Sequence, residues 1–374
     1  MADSQRILIV GAGVAGLALG RALRQQGVAV EIVERRDAWE IAGAGIYLPA
    51  NGTRALRALG LLDAVGARAR TIRRQRFLDH RGRVLVDLDM HALWRDVGPC
   101  LALSRSALHD ALLDGAREAP LRMGTTVAAF DQDDGGVSVT FSDGSHGRYD
   151  LVVGADGIHS AIRRLAFGGR PPRYVGQVSW RCIVPALVAI EHWTALLARG
   201  RTFLMLPLPG EQVYCYGDLS AARAERPEGD GAGRFRALFR DFAAPVPQLL
   251  DGISGATPVF GSAIEEVDQV PWVRGRVVLI GDAAHATSPN MAEGACLALE
   301  DALVLSRMLA EGHAVEESLR AFEDRRRARV RWVQRQTHRR DRIRGLAPAI
   351  RDAVLRARGS HILQANYAPL LADV

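Results

Sequence analysis

Three glycines and one carboxylate near the N-terminus have the spacing of a dinucleotide-binding site. Gly11, Gly13 and Gly16 follow an apolar run and open a predicted helix that includes Ala15. The first glycine permits a tight turn, the second lets the backbone approach a pyrophosphate, and the third lets the helix pack on the preceding strand. Glu34 ends the next predicted strand, where a carboxylate can accept hydrogen bonds from an adenosine ribose. A plain glycine turn followed by a surface glutamate is the weaker alternative.

A second carboxylate is placed where it can bind a polyol chain. Asp282 follows a buried apolar run within Gly281-Asp-Ala-Ala-His285, and a helix is predicted to begin near Gly294, beyond a turn at Pro289. A carboxylate at the end of a strand can accept hydrogen bonds from the ribityl hydroxyls of a flavin. Amides at a helix N-terminus can face the flavin ring where reduction places negative charge. For Asp282 alone, an ordinary helix cap is the alternative.

The elements that must position these residues alternate between strands and helices. Residues 6–10 and 28–34 are predicted strands on either side of a helix over 14–26, and Arg148 to Val153 is a further predicted strand before Asp156 and Gly157. The three motifs in this order predict FAD rather than another dinucleotide. We therefore expect an α/β fold. A Rossmann-like FAD-binding domain interleaves with a mostly antiparallel β-sheet substrate domain and is completed by C-terminal helices.

The two predicted domains exchange segments along the chain. The FAD-binding domain is expected from 1–72, 98–174 and 263–345, with a long helix in the last of these, and the substrate domain from 73–97 and 175–262. Residues 346–374 are expected to form a C-terminal helical tail. Only one glycine fingerprint occurs, so NADH or NADPH is expected to bind outside any second Rossmann domain, and briefly.

The composition excludes several other classes of protein. The chain has 374 residues, of which 48% are hydrophobic, and no apolar run reaches the roughly 18 residues of a membrane-spanning helix. The N-terminus lacks the features of a signal peptide, which predicts a cytoplasmic protein without stable membrane association. The four cysteines are far apart, which predicts free thiols and no metal site.

All 48 cationic residues are arginine, so no mechanism that needs a lysine amine is available. This also argues against the flavin halogenases of this fold, which use a lysine. Ten of the arginines fall between Arg325 and Arg344, on one predicted helix. A solvated helix face is favoured over a nucleic-acid patch, so no nucleic-acid partner is expected.

The chain resembles the para-hydroxybenzoate hydroxylase family of single-component FAD-dependent aromatic hydroxylases. The run Met291-Ala-Glu-Gly-Ala-Cys296 is nearer to the hydroxynicotinate and salicylate hydroxylase-like members. The resemblance extends over nearly the whole chain. Besides the glycine fingerprint it rests on Gly43-Ala-Gly45-Ile46 with Pro49 and Asn51, Ser104-Arg105-Ser-Ala-Leu108, Asp156-Gly157, Trp180-Arg181, and Gly281-Asp282 through Asp301.

The resemblance implies a set of FAD-binding residues. Glu34 with Arg35 or Arg36 would hold the adenosine ribose, and Arg105 would lie near the diphosphate or ribityl part. Val127 would meet the adenine through its backbone. Asp156 and Gly157 would serve FAD and help NAD(P)H. The other implied positions are those of the motifs themselves: Gly11, Gly13, Ala15, Gly16, Gly45, Gly281, Asp282, Gly294 and Ala295.

The resemblance also implies a reaction. NADH or NADPH reduces FAD, O2 adds to give a flavin C4a-hydroperoxide, and one oxygen atom is transferred to an electron-rich aromatic or heteroaromatic small molecule. Pro289 would line the flavin face where this happens. Tyr47, Arg181, Tyr214 and Tyr216 are the candidate substrate residues, and ordinary packing is an equal alternative for each. Tyr214 and Tyr216 are predicted to share one face of a strand, opposite Cys215.

Some alternatives stay open from the sequence. Glu293 replaces the glutamine that many members have, and its charge would repel an anionic reduced flavin unless it is protonated or turned away. A flavin-dependent reductase, an epoxidase or Baeyer–Villiger oxygenase on the same fold, and a non-catalytic flavin- or ligand-binding protein are the alternative functions. The chain is expected to act as a monomer or homodimer.

Overall fold

The computed structural model describes residues 6–39, 44–168, 170–222, 230–268 and 270–374. Gly43 lies outside these ranges. The strands are β1 (Arg6–Val10), β2 (Ala29–Val33), β3 (Gly45–Leu48), β4 (Arg70–Thr71), β5 (Arg74–Asp79), β6 (Val84–Asp89), β7 (Leu101–Ser104), β8 (Leu121–Arg122), β9 (Val127–Asp133), β10 (Gly136–Phe141), β11 (His146–Tyr149), β12 (Leu151–Gly154), β13 (Arg173–Pro185), β14 (Trp193–Leu197), β15 (Arg201–Leu208), β16 (Gln212–Ser220), β17 (Phe260–Glu266), β18 (Val273–Arg274) and β19 (Val277–Leu279).

Helices connect these strands and complete the C-terminal part. They are α1 (Val14–Gln25), α2 (Ala50–Ala58), α3 (Leu62–Gly66), α4 (Met90–Leu93), α5 (Arg105–Gly115), α6 (Ala161–Phe167), α7 (Gly231–Phe239), α8 (Val246–Asp251), α9 (Asp282–His285), α10 (Gly294–Ala310), α11 (Val315–Gly345) and α12 (Pro348–Leu371), with a 3-10 turn at Pro289–Met291. In the described ranges, no helix is both long enough and apolar enough to cross a membrane.

A six-stranded sheet in the order β18-β19-β12-β1-β2-β8 brings the predicted motifs together. Its central strands β19, β12, β1 and β2 run parallel to one another, whereas the edge strand β18 is antiparallel to β19. Their apolar runs are buried, as in a parallel sheet covered on both faces. The loops that begin at Gly11, Ala155 and Ile280 therefore start at the same edge, where ligands of such sheets bind.

A second sheet has seven strands in the order β17-β13-β16-β15-β14-β5-β6, and its two faces differ in composition. Pairing is antiparallel except between β14 and β5. Cys182 and Cys215 lie on one face, in a core that includes Phe235 of α7, whereas Tyr214 and Tyr216 belong to the larger core of the first sheet. The prediction that both tyrosines share a face opposite Cys215 is confirmed, and so is the α/β fold class.

The last three helices are packed against both sheets. α10 lies along α1, and α11 lies on α10. A Cβ on Gly359 of α12 would come within 2.3 Å of Val86 on β6, and the ring of Tyr367 lies 5.6 Å from that of Trp94. Helix α12 therefore packs against β6 and Trp94, and the predicted domain boundaries stay predictions.

The arginine-rich helix α11 differs from the solvated face that we expected. Arg325 and its exposed neighbours fit that expectation, but Arg326 is 1% exposed and Arg344 is 9% exposed. The expectation was wrong for these two inward-pointing residues, because buried carboxylates on other elements pair with them: Glu300 and Asp301 with Arg326, and Asp218 with Arg344.

Candidate functional site

In the glycine loop, close packing or a positive φ requires glycine at two positions, and the third position faces open space. Gly11 has a φ of +107°, and a Cβ on Gly16 would lie 1.9 Å from the carbonyl oxygen of Gly11. A Cβ on Gly13 would meet nothing within 4 Å. Gly13 therefore faces open space at the N-terminus of α1, which is the surface that a pyrophosphate would need.

Two alanine substitutions in this loop should have opposite effects on folding and on binding. Gly13→Ala should leave the stability of the apoprotein within about 1 kcal/mol of wild type, since its φ of −83° suits alanine, yet it should weaken FAD binding by at least tenfold by filling the pyrophosphate surface. Gly16→Ala should destabilise the apoprotein itself, because the new methyl group overlaps the Gly11 carbonyl. Urea unfolding and FAD titration of both variants measure the two effects. Equal losses of stability would contradict the distinction.

The Glu34 carboxylate contacts the same loop. Its Oε2 accepts a hydrogen bond from the Ala12 amide at 3.0 Å, and its Oε1 accepts one from the Arg36 amide at 3.2 Å. Arg35 and Arg36 are exposed beside it. The Thr125 amide donates to the Glu34 carbonyl at 2.9 Å, so the chain leading to Val127 runs along this segment. Val127 itself is 3% exposed.

Sequence reasoning missed a residue that supports this loop. His109 of α5 has its Nε2 3.0 Å from the Ala12 carbonyl oxygen, and its ring lies 4.5 Å from that of Trp39. No spacing within the fingerprint indicates this histidine, because it lies on a helix that follows almost one hundred residues later.

The Asp156 carboxylate forms hydrogen bonds with other residues of the protein. Its carboxylate accepts hydrogen bonds from the Ser160 hydroxyl at 2.5 Å and from the Ala161 amide at 2.7 Å, which caps α6. Burial raises the pKa of this carboxyl. Asp156 and the neighbouring Gly157, which has a φ of +79°, are both half-buried.

A buried arginine links this loop to the Asp282 loop. Arg163 is 2% exposed and donates to the Ala283 carbonyl at 2.8 Å and to the Ile158 carbonyl at 2.6 Å. The relative position of the two loops therefore depends on a side chain that the motifs did not indicate.

Asp282 is exposed at the point where two long helices begin. A Cβ on Gly281 would lie 2.9 Å from the Cβ of Ala15 in α1, and a Cβ on Gly294 would lie 3.8 Å from the Asp282 Oδ1. The carboxylate therefore stands next to the N-terminus of α10, close to the start of α1. Ala295 is half-buried beside Gly294. An exposed carboxylate between helix N-termini and an open glycine surface fits the polyol and phosphate parts of FAD.

A buried ion cluster holds this loop from behind. Asp301 accepts hydrogen bonds from the Gly281 amide at 2.9 Å, from His285 Nε2 at 2.7 Å and from Arg326 Nε at 2.8 Å. Burial alone would raise the pKa of Asp301, but His285 and Arg326 outweigh it and hold the pKa below its ordinary value. His285 is thus a structural part of the buried cluster that holds this loop.

The Glu293 side chain is buried, and its carboxyl is mostly protonated at neutral pH. It is 1% exposed, and its Oε2 accepts a hydrogen bond from Asn51 Nδ2 at 2.9 Å. Burial raises the pKa of the Glu293 carboxyl to about 8, even though the Asn51 hydrogen bond opposes this. The side chain therefore adds no full negative charge at the N-terminus of α10 at neutral pH.

The neutral state of Glu293 predicts a pH-dependent stability difference. The ordinary pKa of this carboxyl is 4.5 and its pKa in the folded protein is about 8. The stability it contributes is therefore full below pH 4.5 and is lost as the pH rises towards 8. Glu293→Gln stays neutral, so its advantage in unfolding free energy over wild type should grow by roughly 1 kcal/mol per pH unit in this range. Urea unfolding of both apoproteins from pH 5 to pH 9 tests this, and parallel pH profiles would contradict it.

The candidate substrate residues meet on the inner face of the seven-stranded sheet. Arg181 lies directly opposite Tyr216 in the pairing of β13 with β16. Its Nη2 donates to the hydroxyls of Ser179 and Ser262, each at 3.0 Å. A Cβ on Gly45 would lie 2.4 Å from the ring of Tyr214, so β3 touches the sheet at this point.

Arg105 and Tyr47, two further residues predicted for the site, lie beside this face. Burial raises the pKa of Tyr214, while the cations Arg181 and Arg105 oppose the rise, which places both arginines within electrostatic range of the phenol. Tyr47 on β3 has its ring 6.5 Å from that of Trp193, and burial raises its pKa well above the ordinary value.

A polar network connects this face to the exposed Pro289. Asn290, the next residue, donates to Asp341 of α11, and Gln177 of β13 donates to the same carboxylate at 2.8 Å. Arg344 contacts Gln177 and also pairs with Asp218. The sequence could have indicated Asp218 as a further residue of this face, because it follows Tyr214 and Tyr216 at the same two-residue spacing along β16.

Comparison with known proteins gives consistent results. The family model described as an FAD-binding domain matches residues 4–337. The chain is 35% identical over 306 residues to an Aurachin C monooxygenase/isomerase of Stigmatella aurantiaca, covering 81% of this chain and 80% of that protein. It is 34% identical over 339 residues to a 2-heptyl-3-hydroxy-4(1H)-quinolone synthase of Pseudomonas aeruginosa, covering 88% and 87%.

A solved structure agrees over almost the full length. HpxO of Klebsiella pneumoniae, in complex with FAD and uric acid, superposes with a TM-score of 0.89 at 27% sequence identity, covering 98% of this chain and 97% of that one.

Proposed function

The chain belongs to the FAD-binding-domain family and is an FAD-dependent monooxygenase of aromatic or heteroaromatic molecules, and we propose that its substrate is an oxo- or hydroxyl-substituted heteroaromatic ring bound between the Arg181–Tyr216 pair and Pro289. The observation that carries the proposal is the polar network from Gln177 through Asp341 to Asn290. This network holds the inner face of the seven-stranded sheet against the segment at Asn290, which follows the Asp282 loop.

The names of the relatives support this substrate class. The Pseudomonas relative is named for the hydroxyquinolone that it makes, and HpxO was crystallised with uric acid, and both compounds are bicyclic nitrogen heterocycles with oxo or hydroxyl substituents. Arg181 is half-buried, and its Nη2 is oriented by two serine hydroxyls. A cation held in this way can donate to an oxo or hydroxyl substituent of the ring and stabilise its anionic form.

Other residues of the chain bind FAD, stabilise charge on its ring system and exclude water from the substrate. When FAD is bound, Asp282 would accept hydrogen bonds from the ribityl hydroxyls, and the surface of Gly13 would receive the pyrophosphate. The N-terminus of α10, at Gly294, stabilises negative charge on the ring system. Tyr214 and Tyr216 are 8% and 7% exposed, so they exclude water from the substrate side. FAD supplies the electron transfer from NADH or NADPH and the activation of O2.

The test is turnover of the FAD-loaded protein with a panel of quinolones, hydroxypyridines, hydroxybenzoates and oxopurines. NADH and NADPH consumption is followed in the presence of 18O-labelled O2, and product masses are recorded. Ring-dependent consumption with one labelled oxygen in the product supports the proposal. A product without label would indicate a reductase, and oxygenation of benzoates alone would exclude the heteroaromatic class.

Arg181→Met separates substrate recognition from flavin binding. The variant should retain FAD fully, but its KM for the oxygenated ring should rise by about tenfold or more, because a charge-assisted hydrogen bond contributes roughly 1.5–3 kcal/mol. An unchanged KM would remove Arg181 from the substrate site.

A further inference from the structure

The outward face of the first half of α12 is apolar. The helix packs on its neighbours through a face that contains Gly359, and Ile350, two and a half turns earlier, lies on the opposite side. Eight residues between 346 and 357 are exposed, and seven of them are aliphatic: Leu346, Ala347, Ala349, Ile350, Ala353, Val354 and Ala357. We call these seven residues the α12 patch. A surface helix ordinarily carries polar and charged residues on its outward side, so the α12 patch indicates a partner.

Three side chains of the α12 patch are large. Ile350 is 58% exposed, and Leu346 and Val354 are 39% and 37% exposed. Ile350 and Val354 are one helical turn apart, and Leu346 stands just before the helix. In the described part of the chain, the other exposed large hydrophobic side chains are single residues on separate segments: Val84, Leu165 and Leu187. Exposed aliphatic side chains are therefore concentrated on α12.

Arginines border the α12 patch. Arg356 and Arg358 are exposed, and they lie about 120° and 80° around the helix from Ile350, on either side of it. A third exposed cation comes from the turn after β14, at Arg199. The carbonyl just before Arg199 accepts a hydrogen bond from Arg351 Nη1 at 2.7 Å, so this turn lies beside the start of α12.

The same segment offers no exposed carboxylate. Asp352 is the only acidic residue between positions 342 and 371. It is 7% exposed and accepts a hydrogen bond from Arg351 Nε at 2.9 Å. A complementary partner is therefore apolar at the centre of the contact and negatively charged around it.

A second copy of this chain does not match these features. A two-fold pair formed through the α12 patch would bring Arg356 and Arg358 of one copy close to the same arginines of the other. Stable interfaces also take about 20–30 residues from each partner, and the α12 patch is much smaller than that. A nucleic acid would pair with the arginines but not with the apolar centre. An anionic membrane offers both lipid phosphates and acyl chains.

We propose that the α12 patch binds the surface of an anionic phospholipid bilayer. Ile350 and Val354 enter the boundary between headgroups and acyl chains, and the bordering arginines contact the lipid phosphates. A few aliphatic side chains with a basic border give weak and reversible attachment, which is distinct from stable membrane association. The inference goes beyond the proposed function and does not depend on the substrate class.

Co-sedimentation of the FAD-loaded protein with lipid vesicles tests the proposal. Vesicles of phosphatidylcholine alone are compared with vesicles of phosphatidylcholine and phosphatidylglycerol in equal parts. We expect binding to the mixed vesicles at low salt, weaker binding as salt is added, and at least about tenfold weaker binding to phosphatidylcholine alone. No binding to the mixed vesicles at low salt, or equal binding to both kinds, would overturn the proposal.

Single substitutions assign the binding to this face. Ile350→Ser should weaken binding to the mixed vesicles by about tenfold, since it removes an inserted aliphatic side chain, and Val354→Ser provides a second test of insertion. Arg358→Gln should weaken it roughly fivefold. Leu165→Ser is the matched control, because Leu165 is 41% exposed on α6, and it should bind like wild type. Flavin content per chain shows that each variant is folded.

Two results of this series would overturn the proposal. Unchanged binding in both serine variants of α12 would mean that the basic protein adsorbs through its charge alone. A loss in Leu165→Ser as large as that in Ile350→Ser would remove the assignment to α12. Sedimentation equilibrium without vesicles provides the last check, because a wild-type dimer that Ile350→Ser dissociates would assign the α12 patch to a second copy of the chain instead.

Discussion

Replacing Asp282 with alanine is expected to leave a folded protein that no longer retains FAD. The carboxylate is exposed and follows β19 at the sheet edge where the other loops converge. Its removal therefore breaks no buried contact of the apoprotein. A charge-assisted hydrogen bond to a ribityl hydroxyl would contribute roughly 1.5–3 kcal/mol, so the affinity for FAD should fall by about tenfold or more.

Flavin absorbance per chain after gel filtration measures retention, and fluorescence titration of the apoprotein gives the Kd. Asp282→Asn keeps one acceptor oxygen and should give an intermediate loss. Asp268→Ala, an exposed carboxylate paired with Arg173, is the matched control and should retain FAD. Full flavin content in Asp282→Ala would refute the assignment of the FAD site.

Replacing Arg326 with methionine is expected to destabilise the protein by about 3–5 kcal/mol. The guanidinium is 1% exposed and pairs with Glu300 at 2.9 Å and with Asp301 at 2.8 Å, both of which are also buried. Removing the cation leaves buried carboxylates without their main partner, and breaking a buried pair from one side has a cost of this size. Asp301 also accepts from the Gly281 amide, so the position of the Asp282 loop should change with it.

Urea unfolding of the apoproteins measures this loss. Arg325→Met is the matched control, because it removes the same charge from the preceding, exposed position of α11 and should change the unfolding free energy by less than about 0.5 kcal/mol. A similar effect for both variants would mean that the loss reflects helix charge and not the buried cluster.

The sequence predicts the sheet-edge motifs well because their information is local. A glycine that must accept a φ of +107°, or one that must approach a carbonyl, shows its role through its spacing from a strand and a helix. The shared face of Tyr214 and Tyr216 follows in the same way from strand periodicity.

Contacts between distant parts of the chain could not be predicted. Asn51 meets Glu293 across 242 residues, and Arg163 meets Ala283 across 120. No short-range pattern marks such partners. The arginines of α11 show the same limit, because a charge pattern on one helix does not reveal which buried acids lie opposite it. The substrate roles of Tyr47, Arg181, Tyr214, Tyr216 and Pro289 stay predictions.

The order of strands in the six-stranded sheet governs how this protein can be assembled during synthesis. β1 precedes the other strands of this sheet along the chain, yet one neighbour in the sheet begins at Leu151 and the next strand beyond it at Val277. The N-terminal strand and its glycine loop therefore wait for most of the chain to be translated. Such long-range pairing slows folding and leaves apolar edges open in the nascent chain. We therefore expect flavin to bind only after β12 and β19 have been synthesised, because the loops that follow them start at the same sheet edge as the glycine loop.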